Sequence, residues 1–217
     1  MAELPSARPW AALLILLWLG AVLVLAGRAA IGSEASTAAR LLARLKAGDT
    51  AIDFRVLRLA GTSTRQAKND IGQTSHWRKT TLQALEARRV DEAATLISEW
   101  LAADYLNPFA HLGAQRAHAM RGNAPEAAFH QRVVEGLYDS ICVVGEGLSP
   151  ANPCPVVSAD EIHYYLARHR YEIGDRREEV CGALPCLVFE VRAPDGLMLV
   201  DLYFDISRLP SVRARVP

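Results

Sequence analysis

CLVFEVRAPDGLMLVDLYFDI, residues 186–206, holds two β-rich runs on either side of a Pro194-Asp195-Gly196 turn. Valine, leucine and phenylalanine fill both arms, joined by Tyr203 in the second, residue types that suit a pleated, half-buried surface. At the turn, proline fixes one φ and glycine supplies a positive one, so the arms are predicted to fold back as an antiparallel hairpin. In the second arm Leu202, Phe204 and Ile206 share one face, and Asp201, Tyr203 and Asp205 the other. Two further β-rich runs precede the hairpin, ICVV (141–144) and PVVS (155–158). Between PVVS and the hairpin, SADEIHYYLARHR opens with Ser158 and Glu161 at capping-box spacing and reads as a helix to His169.

Before Ser140 the apolar period is helical. VDEAA (90–94) and APEAA (124–128) are offset by thirty-four residues, the period of tetratricopeptide-type hairpins. Each follows a predicted helix, Trp77–Arg88 and Asn107–Arg121, and leads into another, Asp91–Ala103 and Pro125–Leu137. A free-standing solenoid needs about three such units, so these two read as the helical layer of a compact domain. Upstream, residues 33–47 are predicted to form a helix capped by Ser33 and ended at Gly48-Asp49, residues 51–61 read as a short apolar segment, and Thr62–Ser75 is expected to be a polar loop. The class is α+β: two TPR-like hairpins, then a small, mostly antiparallel sheet with one helix. The parts are 1–27, a signal-anchor or signal peptide; 28–75, helix plus loop; 76–140, helical hairpins; and 141–210, a small α/β part of the same globular domain.

Residues 10–27, WAALLILLWLGAVLVLAG, carry no charge and would measure roughly 27 Å as a helix, enough for a bilayer. The run exceeds the about 7 to 15 residues of a secretory h-region, and Val24-Leu25-Ala26 is its one tolerable cleavage site, so an uncleaved anchor is favoured over a signal peptide. No cysteine follows the run closely, which excludes lipoprotein processing. Arg28, Arg40, Arg44 and Lys46 follow it, and taken literally they lean toward a cytoplasmic C-terminus. Three of the four belong to the predicted helix, and the expectation is a bacterial inner-membrane protein with its domain in the periplasm, or the secreted alternative. The chain has 24 basic and 24 acidic residues, and such neutrality argues against a nucleic-acid partner.

Cys142, Cys154, Cys181 and Cys186 are even in number, as an oxidising compartment permits. Zinc is the rival reading, but a structural site wants two close pairs and only Cys181–Cys186 is close. Three pairings are open; the sequential one, Cys142–Cys154 with Cys181–Cys186, is favoured because each closes a short loop.

The run from Val133 to Leu166, with the closing VDLYFDIS, resembles an uncharacterised family of exported bacterial proteins, domain of unknown function 4919. The matching positions are Ser140, Ile141, Gly145, Glu146, Gly147, Glu161, Tyr164, Tyr165 and Tyr203 to Ile206. Glu146 stands where the family usually carries Asp, and the Pro153-Cys154-Pro155 and CGALPC segments depart from its pattern. The resemblance implies the fold and export and supplies no mechanism.

Gly145, Glu146, Gly147, Glu161 and Tyr164 are the candidate ligand- or partner-binding residues, with Gly145-Glu146-Gly147 a polar loop whose backbone a ligand could approach. As a purely structural turn, the loop would give a glycine positive φ and leave Glu146 pointing to water. No catalytic residue, cofactor or metal is assigned. Asp201 and Asp205 lie roughly 13 Å apart along a strand, too far for a glycosidase pair. His111 and His118 are about 10 Å apart along one helix, beyond one metal, and His130 or His163 could join them only through tertiary packing. Two functions remain: a membrane-tethered, non-catalytic domain that binds an envelope protein or peptide, and an envelope hydrolase using Glu146, Asp160, Glu161 or His163. Convergence of Glu146, Glu161 and a histidine in one pocket would favour the second.

Overall fold

The computed structural model describes residues 35–61 and 71–209, apart from Asp195 and Leu197. The apolar run at 10–27, the loop at 62–70 and the middle of the Pro194-Asp195-Gly196 turn lie outside the described residues. Among the described residues no helix is long and apolar enough to cross a membrane.

Among the described residues, seven helices precede and flank a four-stranded sheet. Residues 35–46 form α1, Phe54–Ala60 α2, Ile71–Glu86 α3, Val90–Ala103 α4, Pro108–Met120 α5, Ala124–Asp139 α6 and Ala159–Arg168 α7. The strands are β1 (Cys154–Pro155), β2 (Glu172–Cys181), β3 (Leu184–Arg192) and β4 (Leu199–Asp205), in the order β1-β4-β3-β2. β3 pairs antiparallel with both β2 and β4, so the two arms of the expected hairpin do lie side by side, while β1 runs parallel to β4.

The helix ends follow local chemistry. Asp53 accepts from the Val56 amide, Asn107 from those of Phe109 and Ala110, and Ser158 Oγ from that of Glu161, each satisfying a first-turn donor that the helix cannot. Pro108 and Pro125 sit where their missing N–H costs nothing.

Several expectations need correction. The polar loop was to run to Ser75, yet residues 71–75 already belong to α3. Residues 51–61 contain a helix, α2, rather than an unassigned apolar run. ICVV is irregular, and of PVVS only Pro155 is in a strand, because the disulfide and the Gly145–Gly147 turns hold this chain outside the ladder. β2 was unforeseen: EIGDRREEVC has no apolar alternation, being an edge strand made by backbone pairing to β3 with its charges in water.

One face of the sheet buries Phe189, Val191, Leu202 and Phe204 against Ile162 and Leu166 of α7. On the other face Arg177 links Asp201 and Glu179 beside Tyr203, and Asp201 is thereby half-solvated. The helical layer has its own clusters, Leu45, Phe54, Leu57, Leu106, Val133 and Leu137 in one, Ala84, Ala93, Ile97, Ala114 and Ala117 in another. α2 crosses α6 so closely that a Cβ at Gly136 would strike the Phe54 ring. Cys142 joins Cys154 and Cys181 joins Cys186, with Cα–Cα distances of 5.1 and 5.9 Å. Two disulfides fit an oxidising, extracytoplasmic compartment.

Candidate functional site

α2 projects two arginines, three residues apart and therefore on one face, toward the carboxylates that the sequence singles out. Arg58 is fully buried. Its Nη1 donates to Glu161 at 2.8 Å and to the Pro155 carbonyl at 2.9 Å, its Nη2 to the Ser140 carbonyl at 2.6 Å, and its Nε to Ser140 Oγ at 3.2 Å. Ser140 ends α6, so the guanidinium also sits on the negative end of that helix. Glu161, with a side chain only 2% exposed, accepts from the Val157 amide at 2.8 Å as well. The capping box is thus half realised: Ser158 caps α7 as expected, but the Glu161 carboxylate turns to Val157 and Arg58.

Glu146 is the second anchor. Both of its oxygens accept from Arg55, at 2.6 and 3.1 Å, and it also takes the Val143 amide at 3.1 Å. Its side chain is 11% exposed, which corrects the expectation that it points to water. Gly145 and Gly147 have φ of +88° and +78°, as a structural turn requires. A Cβ at Gly147 would also lie 2.5 Å from Cys154 Sγ. Gly145, Glu146, Gly147 and Glu161 therefore belong to one brace joining α2, the end of α6, β1 and α7. No histidine shares the hydrogen bonds described for Glu146 or Glu161. The brace leaves Val143, Val144 and Leu148 in solvent, with Val144 fully exposed.

Tyr164 lies apart from this brace. It is buried edge-on against Phe109, ring centroids 5.3 Å apart, and borders a recess of about 450 Å³ with Gln131, Glu135, Tyr138 and Arg168. Burial raises its phenol and that of Tyr138, whose hydroxyl meets His169 Nε2 at 2.6 Å. Asp160 accepts from Asn107 at 2.8 Å and lies 3.5 Å from Arg78, and burial raises its carboxyl.

A different grouping lies on the α5–α6 hairpin. His130 of α6 packs between His111 and His118 of α5, with ring centroids 5.0 and 5.5 Å away. His111 Nδ1 meets His130 Nδ1 at 2.8 Å, and His111 Nε2 meets the Tyr105 carbonyl at 2.6 Å. Burial drives both imidazoles down to about 4, so they are neutral at physiological pH. His118 and His130 line a groove of about 460 Å³ with Ile97, Leu101, Tyr105 and Ala114. The spacing along α5 does separate His111 from His118; the neighbour that joins them comes from the next helix.

Sequence reasoning missed Arg55, Arg58 and the partnership of His130. Two arginines three apart inside the apolar FRVLRLA were the available signal, since a charge placed among core residues needs a partner. Compared with known proteins, the chain matches no family model, no curated protein and no solved structure.

Proposed function

We propose that this chain is a non-catalytic binding domain of the bacterial cell envelope, tethered to the inner membrane through residues 10–27 and facing the periplasm. Its helical pairs, TPR-like in their thirty-four-residue offset, act as a scaffold, and the resemblance to the exported family of unknown function is part of the same reading.

The observation that carries the proposal is the loop 143–148. Val143, Val144 and Leu148 face solvent on a turn held by the Cys142–Cys154 disulfide, the Arg55–Glu146 pair and two left-handed glycines. An apolar surface already fixed in one conformation loses little entropy on docking, which is what a recognition surface needs. Its occupant is a protein or peptide with an apolar patch. The hydrolase alternative is weaker, because Glu146 and Glu161 are each held by an arginine and Asp160 by Asn107.

A photoreactive side chain at Val144, compared in living cells with one at exposed Glu99 of α4, tests this. The expected result is a discrete envelope adduct from position 144 alone, lost when Val143→Asp and Leu148→Asp are added while the melting temperature holds. Equal labelling at both positions, or an adduct indifferent to the two aspartates, would defeat the proposal.

A further inference from the structure

Three potential ligands meet where α5 turns into α6. His118 lies in the last turn of α5, while Glu126 and His130, four residues apart and so on one face, open α6. Gly122 at φ +74° and the Asn123 cap on the Glu126 amide hold the two helix ends together. One ligand atom from each of the three residues lies within 4.8 Å of the other two. Zinc bonds of about 2.0–2.1 Å hold tetrahedral donors about 3.4 Å apart, and exposed Glu126 is the arm able to close the difference.

The hydrogen bonds behind the cluster decide which nitrogens are available. The Tyr105 carbonyl can only accept, so His111 Nε2 carries the proton and, in the neutral ring, His111 Nδ1 carries the lone pair. His130 Nδ1 must then donate to it, which leaves the lone pair of His130 on Nε2. Histidines that bind metals are commonly held this way, the second nitrogen donating to an acceptor behind it. A separate observation points the same way: His118 Nδ1 is buried without a hydrogen-bond partner. Buried polar atoms in native proteins are nearly always satisfied, and a bound metal ion would satisfy this one.

We propose that His118, Glu126 and His130 bind one divalent transition metal, zinc by its mixed imidazole–carboxylate donor set. Three protein ligands leave a fourth position open, and two of the three, His118 and His130, also line the groove. Two cations also line the groove, and each has a partner there: Lys46 lies over the Tyr105 ring and Arg121 pairs with Asp91. This site is independent of whether loop 143–148 docks a partner.

The test uses the full chain, purified in detergent without an affinity tag and stripped with chelator. Co2+ is expected to bind at one equivalent with the visible absorption of a tetrahedral site, and Zn2+ to displace it. His118→Ala should weaken Zn2+ binding by about 100-fold or more, and Glu126→Gln by about tenfold, whereas His163→Gln should leave it unchanged. Circular dichroism shows whether each variant folds. Glu126 is on the surface, so its variant decides the matter if His118→Ala does not fold. Absence of the cobalt spectrum in the wild-type chain, or unchanged affinity in folded Glu126→Gln, would overturn the proposal.

Discussion

The arginine brace and the histidine hairpin are both built from titratable side chains packed among helices, yet they end differently. In the brace, Arg58 meets Glu161, Ser140 and Pro155, and Arg55 closes on Glu146. In the hairpin, a chain of bonds starts at the Tyr105 carbonyl, passes through His111 and His130, and stops at lone pairs beside a groove. Closure marks the first as architecture. An open end marks the second as a place where something binds.

The largest effect that can break this contrast is at Arg58. Replacing it with leucine takes the guanidinium away from the buried Glu161 carboxylate, and losses of about 3–5 kcal/mol are typical of such cuts. Chemical denaturation of Arg58→Leu should show a loss of that order. The pair Arg58→Leu with Glu161→Leu should recover only part of it, since the Ser140 and Pro155 carbonyls and the Val157 amide lose their partners. Full recovery in the double variant would mean that the brace is an ion pair alone rather than the seam between α2, α6 and α7.

Much of this architecture could be read from local rules. The caps at Asn107 and Ser158, the β3–β4 hairpin and the sequential disulfides all depend on neighbours a few residues away, where periodicity, turn chemistry and loop length act. What could not be read depends on distance in the chain. Arg58 and Glu161 are 103 residues apart and Arg55 and Glu146 are 91 apart, so nothing in either segment names its partner. β2 is similar, because its place is set by β3 and its exposed charges hide it. The histidine group fell between the two cases. The distance between His111 and His118 follows from helix geometry, but the entry of His130 follows from how tightly the Arg121–Asn123 turn folds α6 back on α5.

Acid should open the hairpin before it opens the brace. His111 and His130 have values near 4 in the folded chain against about 6.5 when unfolded, so between those limits the unfolded chain binds more protons. Stability is therefore complete above pH 6.5 and falls as the pH drops toward 4, by up to about 1.4 kcal/mol per pH unit for each histidine. In the same window burial lowers His163 and His169 and raises the Asp160 carboxyl, so the pair is read from the difference in slope between the metal-stripped chain and its His130 variant. His130→Asn, whose amide can still donate to His111, should shallow the slope. Equal slopes in the two chains would show that the pair is not held neutral.

The smallest effect sharpens the contrast within the brace itself. The Arg55–Glu146 pair reaches solvent on the arginine side, where screening and side-chain entropy reduce an ion pair to less than about 1 kcal/mol. Glu146→Gln keeps an acceptor for the Val143 amide and for one Arg55 nitrogen, and its expected cost is below about 1 kcal/mol, far less than that of Arg58→Leu. Gly145→Ala should cost about as much by another route: a Cβ there meets nothing within 4 Å, and only its φ of +88° opposes the change. The two substitutions act on different degrees of freedom, one an ion pair and the other a backbone angle, but on the same turn. If the turn is already locked by the Cys142–Cys154 disulfide, the losses should add; a double variant that loses more than their sum would mean that Glu146 and the left-handed glycine hold the loop together, and that the apolar surface it presents is less fixed than its disulfide implies.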